Sequence, residues 1–281
     1  MPQPWPFGLN LAASHHPAAA TKARVLLSHG LGEHMGRYPR LIQALNTAGY
    51  DVFTYDQRGH GRSNGPRALV QIDQLVEDHL RAREALRADN STPVFAFGHS
   101  LGGLVTAVSV ARDPRGLSGV ALSSPALLID QNHSPLLRRA VQVLGRLLPG
   151  LPTQSLSPAL LAGDAAVGEG YAADPEVYHG GVRAGTAASM IREANALWPQ
   201  LSRWKLPTLL IQGDADGIVN VEGARRFARE VASADLTYVE EPGGYHELFN
   251  DHRQGHFTDV LTGWLDGQLA RHGTQAVSVA D

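Results

Sequence analysis

The sequence predicts an α/β fold: a mostly parallel sheet flanked by helices, with an inserted, mainly helical cap. Three observations carry this reading. Short aliphatic or β-branched runs alternate with longer stretches of helical periodicity. That alternation breaks after Pro125 and resumes near Leu206. Finally, 281 residues with 43% hydrophobic content are enough for a large core and an added subdomain.

Arg24 to Ser28, Asp51 to Tyr55, Pro93 to Phe97, Gly119 to Ser123, Thr208 to Gln212 and Leu236 to Val239 read as strands. Between them, Tyr38, Leu41, Ile42 and Leu45, then Ile72, Leu75, Val76 and Leu80, recur at helical spacing and should lie on the sheet. Residues 1–125 and 205–281 therefore form the core and residues 126–204 the cap. In the cap, Leu137, Ala140, Val141, Leu144, Leu147 and Leu148 line one side of a helix ending at Pro149-Gly150, with Arg138, Arg139 and Arg146 off that stripe. Two readings of the stripe stay open: a face packed on the core, or one that lines an acyl pocket or rests on a lipid surface.

Lys and Arg number 24 against 27 Asp and Glu, a net charge of −3 with no basic run, which argues against a nucleic-acid partner. The absence of cysteine excludes disulfides, a thiol nucleophile and thiolate metal sites, and fits either an exported or a cytoplasmic protein. Met1 to Ala20 lacks the basic start and apolar run of a secretory signal, and no stretch is long and apolar enough to span a bilayer. The expectation is a soluble cytoplasmic protein that touches membranes peripherally, through the cap, without crossing them. The stretch after Leu269 reads as a frayed tail, and the oligomeric state is not legible.

Gly98-His99-Ser100-Leu101-Gly102 follows a predicted strand and precedes a helical stretch from Leu101 to Ala111. In a chain with 30 glycines the pattern alone is weak. The strand-turn-helix context makes it the nucleophile elbow of an α/β-hydrolase, with Ser100 as nucleophile. A serine hydroxyl needs a base, and the fold delivers its partners in the order Ser, acid, His. His246, in Gly244-Tyr245-His246-Glu247, follows the last predicted strand at the edge where a base could reach Ser100. His29, His34, His60, His79 and His99 precede or flank the serine, while His252 and His256 fall in a later helical stretch, so these read as surface or structural residues. The acid should follow the preceding strand, where Asp214 and Asp216 compete. Asp216 is favoured because it sits further into the loop, where Asp214 can form a turn.

An oxyanion hole needs two backbone N–H groups. Leu101 supplies one and Leu31, in His29-Gly30-Leu31-Gly32, is the candidate for the other. Neither His29 with His34 nor His246 with His252 has metal-ligand spacing, and no phosphate loop is present. No metal and no cofactor are expected.

From about Val25 to Leu265 these motifs resemble the monoacylglycerol lipases, within the lysophospholipase-like and serine-aminopeptidase-like α/β-hydrolases. The resemblance rests on His29-Gly30-Leu31-Gly32-Glu33-His34 with Gly36-Arg37-Tyr38, on Asp56-Gln57-Arg58-Gly59-His60-Gly61-Arg62-Ser63 and on Gly98-His99-Ser100-Leu101-Gly102-Gly103. Gln212-Gly213-Asp214-Ala215-Asp216, Gly244-Tyr245-His246-Glu247 and the cap's Leu147-Leu148-Pro149-Gly150-Leu151-Pro152 complete it. The resemblance implies Asp216 as the acid, Leu31 and Leu101 as the oxyanion hole, and Glu33 and Arg37 as a polar end that binds glycerol. The alternative for Glu33 and Arg37 is an ion pair that orients the loop. Phe249 stands where some relatives carry a second histidine near the glycerol.

The implied reaction is hydrolysis of a single-chain lipid ester through an acyl-enzyme on Ser100. A lysophospholipase, a general carboxylesterase or an aminopeptidase of the same fold are the alternatives. The last would need an amine-binding acidic cluster, for which Asp164, Glu169, Asp174 and Glu176 are available. A non-catalytic binding module would have little reason to keep all three triad members in order.

Overall fold

The computed structural model describes residues 1–87, 92–129 and 135–278. Its centre is an eight-stranded sheet in the order β1-β2-β4-β3-β5-β6-β7-β8. The strands are β1 (Gln3–Pro4), β2 (Ala13–His16), β3 (Ala23–Ser28), β4 (Tyr50–Tyr55), β5 (Val94–His99), β6 (Gly119–Ser123), β7 (Thr208–Gly213) and β8 (Leu236–Glu241). From β4 to β8 every neighbouring pair is parallel. Within this sheet β2 alone runs against the others, pairing antiparallel with β1 and β4 at one edge. The six parallel strands are those expected from the sequence, several extended by a residue or two.

The edge pair was not expected, because Ala13-Ser14-His15-His16 has no β-branched residue. Tertiary contacts hold it: the His15 ring stacks on Phe53 at 4.1 Å between centroids, and His15 Nε2 lies 2.8 Å from Asp51 Oδ2.

Strand alternation sends Leu26 to one face and Val25 and Leu27 to the other. The first face is covered by α2 (Ile72–Leu86), α3 (Leu101–Arg112), α6 (Ala184–Leu197) and α7 (Val221–Glu230), through residues such as Leu75, Leu104, Leu197 and Phe227. The second packs on α1 (Pro39–Thr47) and α8 (Gln254–Ser278), through Leu41, Leu45, Phe257 and Leu261. Instead of fraying after Leu269, α8 continues to Ser278; no proline interrupts this stretch, and Arg271 pairs with Asp235 at 3.1 Å.

Between β6 and β7 the chain passes through α4 (Pro135–Leu147), α5 (Ala165–Ala173) and α6. In α4, Gly145 sits so close to α6 that a Cβ there would stand 2.6 Å from Ala188 Cβ. Much of the expected apolar stripe is not buried against the core. Leu147 is 73% exposed and Leu148 56%, joined by Val143 and Leu151, because α4 meets α6 through Gln142 and Gly145 instead. Leu137 and Arg138 lie outside the residues whose side chains are described. Among the described residues no helix is long and apolar enough to cross a membrane.

Candidate active site

Parallel pairing aligns Ser28 with Gly98, His99 with Ser123 and Ser123 with Ile211, so the strands' carboxyl ends form one edge from which the working loops project. The turn between β5 and α3 is tight. Ser100 adopts φ 54° and ψ −117°, a strained conformation for a residue with a side chain and of order 1–3 kcal/mol. Hydrogen bonds from both sides hold it: its N–H donates to Ser123 O at 3.0 Å, and its carbonyl accepts from the N–H groups of Leu104 and Ala126, each at 3.1 Å. The turn closes only because Gly102 has no side chain, since a Cβ there would stand 2.2 Å from Ser28 O.

The loops after β7 and β8 meet beside it. Asp216 Oδ2 accepts from His246 Nδ1 at 2.8 Å and from Gln212 Nε2 at 3.0 Å, while Oδ1 accepts from the Ile218 and Val219 N–H groups at 2.8 and 3.0 Å. Burial alone would raise the Asp216 carboxyl. The charge and hydrogen bond of His246 and the two backbone donors outweigh it and hold the group below its ordinary value. Asp214 is exposed and accepts instead from Gly243 N at 2.6 Å, which ties the two loops together.

Ser124 Oγ donates to His246 O at 2.8 Å and fixes the histidine loop to the end of β6. His99 packs on the imidazole of His246 with 4.7 Å between ring centroids. Burial and the neighbouring His246 push the His99 pKa down to about 4, so that it stays neutral and does not compete for the proton. The structure thus gathers Ser100, Asp216 and His246 at one sheet edge. The acid–histidine bond is closed. Among the described residues no hydrogen bond joins the Ser100 hydroxyl to His246.

The loop after β3 lies against the elbow, and a Cβ on Gly30 would stand 3.1 Å from Ser100 Cβ. Among the described residues neither the Leu31 nor the Leu101 N–H is donated to another group. Glu33 braces the loop: one carboxylate oxygen accepts from Gly30 N at 2.5 Å and from Tyr38 Oη at 2.6 Å, and the other from Arg37 Nη1 at 2.9 Å. Arg37 also grips Glu247 with two bonds, at 2.6 and 2.9 Å, and lies 4.8 Å from the Tyr171 ring centroid. The loop after β3 is thereby strapped to the residue that follows His246. Glu33 is buried and the Arg37 side chain is 9% exposed; of the two readings open for them, glycerol end or loop-orienting ion pair, their bonds here form the ion pair.

Glu247, Tyr38, His99 and Ser124 carried no assigned function in the sequence. Their signal was adjacency to the motifs, which does not say what a side chain touches. Phe249 sits in the core, edge-on to Phe97 at 5.2 Å, so the position is taken by packing.

Burial raises the Glu33 carboxyl, but Arg37, His99 and His29 outweigh it and bring it down to about 2. The folded protein therefore binds this proton less readily than the unfolded chain. The stabilisation is fully present above pH 4.5, the ordinary value, and is lost as pH falls from there to about 2. Glu33→Gln should cost about 3 kcal/mol at neutral pH. In urea titrations the gap to wild type should close as pH falls through that window; a gap independent of pH would contradict the assignment.

A cavity of about 120 Å³ opens beside Leu31, walled by Ala68, Tyr171, Tyr178 and Val182. The segment between β6 and β7 meets the loops of the sheet edge at two places, where Tyr178 N donates to Gly32 O at 2.7 Å and Glu247 N to Leu161 O, also at 2.7 Å.

Comparison with known proteins agrees with this fold. A monoacylglycerol lipase of Mycolicibacterium smegmatis is 36% identical over 255 residues, covering 90% of this chain and 91% of the relative. The monoglyceride lipase of Rattus norvegicus is 32% identical over 84% of this chain and 78% of its own. The crystal structure of Paleococcus ferrophilus monoacylglycerol lipase superimposes with a TM-score of 0.83 at 33% identity, over 92% of this chain and all of that one. Residues 19–253 match the family described as serine aminopeptidase, S33, and the chain belongs to that family of α/β-hydrolases, alongside its monoacylglycerol lipases.

Proposed function

We propose that the protein is a carboxylic ester hydrolase that cleaves monoacylglycerols to fatty acid and glycerol through an acyl-enzyme on Ser100. The observation that carries this reading is the closed Asp216–His246 pair beside a strained, elbow-held serine, with two undonated amides at Leu31 and Leu101. As substrate binds, the imidazole Nε2 takes the hydroxyl proton while Oγ attacks the ester carbon. The tetrahedral oxyanion accepts from Leu31 and Leu101, and the imidazolium then protonates the departing glycerol oxygen. Water enters and the same steps release the fatty acid. Asp216 holds the tautomer with its proton on Nδ1, which leaves Nε2 free to accept.

Residues 126–204 act as the cap in this reading. The cavity beside Leu31 is much smaller than a typical small-molecule site, so most of a long acyl chain must lie beyond it. Exposed Val143, Leu147, Leu148 and Leu151, with exposed Arg139 and Arg146 beside them, suit contact with the lipid surface from which such a chain is drawn. The protein would then work in the cytoplasm, peripheral to a membrane. An aminopeptidase role gains no support from the acidic residues of the cap. Asp164 caps α5, Glu169 is exposed, and Asp174 and Glu176 contact His34.

The test is a series of glycerol monoesters of increasing chain length, in micelles and on vesicles, beside aminoacyl amides. The expectation is a kcat/KM that rises with chain length by at most about fourfold per buried methylene. Turnover on vesicles, but not in micelles, should fall in Leu147→Ser. A flat chain-length profile combined with amide cleavage would overturn the reading.

A further inference from the structure

We propose that His34 is a positioning residue: it latches the cap segment Asp174–Tyr178 to the oxyanion loop and so holds the tyrosine wall of the pocket beside Leu31. This rests on the ester-hydrolase reading above and adds to it a determinant of substrate binding.

His34 stands three residues after Leu31, and its side chain is buried. Both ring nitrogens face carboxylates from a segment 140 residues away, with Nε2 2.9 Å from Asp174 Oδ2 and Nδ1 3.2 Å from Glu176 Oε2. The Gly36 N–H also points at Nδ1, at 3.2 Å. Beside this cluster Tyr178 N donates to Gly32 O, and Arg67 spans from Gly61 O to Glu176 O at 2.7 and 2.6 Å. The same segment carries Tyr178 to the cavity that Leu31 also lines.

The oxyanion loop itself does not depend on the imidazole. Glu33 holds Gly30 N from within the loop, and the Met35 N–H is anchored on Asp56 Oδ1 at 2.8 Å. The Asp174 end depends on it more. Burial would raise that carboxyl, and the bonds from His34 and from Glu176 N bring it below its ordinary value. Losing the imidazole therefore frees the pocket wall while leaving the oxyanion amides in place, and the loss falls on KM more than on kcat.

The experiment compares wild type, His34→Ala, His34→Gln, Asp174→Asn and the His34→Ala/Asp174→Asn pair on a long-chain monoacylglycerol and on p-nitrophenyl acetate. Hydrogen exchange at the Tyr178 amide is measured in parallel. In His34→Ala the monoacylglycerol KM should rise about tenfold, the loss of one charge-assisted bond, with kcat within about threefold. The acetate ester, which needs little of the wall, should change by less than about threefold. Gln, which can still donate to Asp174, should restore most of the KM, and the double variant should be no worse than the worse single one. Exchange at Tyr178 should accelerate in His34→Ala while the β7 amides keep their protection.

An unchanged KM, equal losses on both esters, additive single effects or unchanged exchange at Tyr178 would each overturn the latch. A wild type that hydrolyses neither ester would instead sink the enzymatic reading, and the Tyr178 exchange would still report on the contact itself.

Discussion

Replacing Ser100 by alanine should lower kcat for a monoacylglycerol by about 10⁵- to 10⁶-fold while the protein remains folded. Alanine removes one oxygen from a side chain that makes no hydrogen bond among the described residues, so the Tm should shift by no more than a few degrees. The elbow depends on the serine backbone and on the glycines around it, not on the hydroxyl. What is lost is the acyl acceptor, and water attacking from elsewhere does not replace it. Steady-state hydrolysis with a thermal melt of the same preparation checks both halves. Activity within tenfold of wild type would remove Ser100 from the role.

Asp216→Asn should have the next largest effect, about 10⁴-fold in kcat. The carboxylate uses both oxygens, one for Gln212 and His246 and one for two backbone N–H groups. In the variant the remaining side-chain oxygen keeps the backbone bonds and the new NH₂ group must face His246. That group can only donate, so it forces the imidazole to accept at Nδ1 and to carry its proton at Nε2, where a base must be bare. The geometry survives and the chemistry does not. The corresponding change at exposed Asp214 should cost less than about tenfold, because it removes a loop contact only. Equal losses at the two positions would contradict the assignment.

The parallel strands β3 to β8 were legible as short runs rich in aliphatic, aromatic or β-branched residues, buried along most of their length in β3 to β7 and half-buried in β8. β2 was not, since its partner supplies what its own composition lacks: His15 reads as strand only once Phe53 and Asp51 are beside it. The helix α4 was visible by period, but which of its faces would be covered was not. Gly145 and Gln142 set that contact, and a small and a polar residue leave no trace in a hydrophobic stripe. Ser100, Asp216 and His246 stood out by motif and chain order, and the structure brings their loops to one sheet edge. Glu33 and Arg37 could be named but not placed, because Arg37's second partner, Glu247, comes from a loop 210 residues away.

Labelling by a fluorophosphonate reports on the serine itself, since the reagent requires a hydroxyl activated by a base. The modification should map to the peptide carrying Ser100, and His246→Gln should slow it by about 10²- to 10⁴-fold. Modification at another residue, or a labelling rate indifferent to His246, would contradict the account.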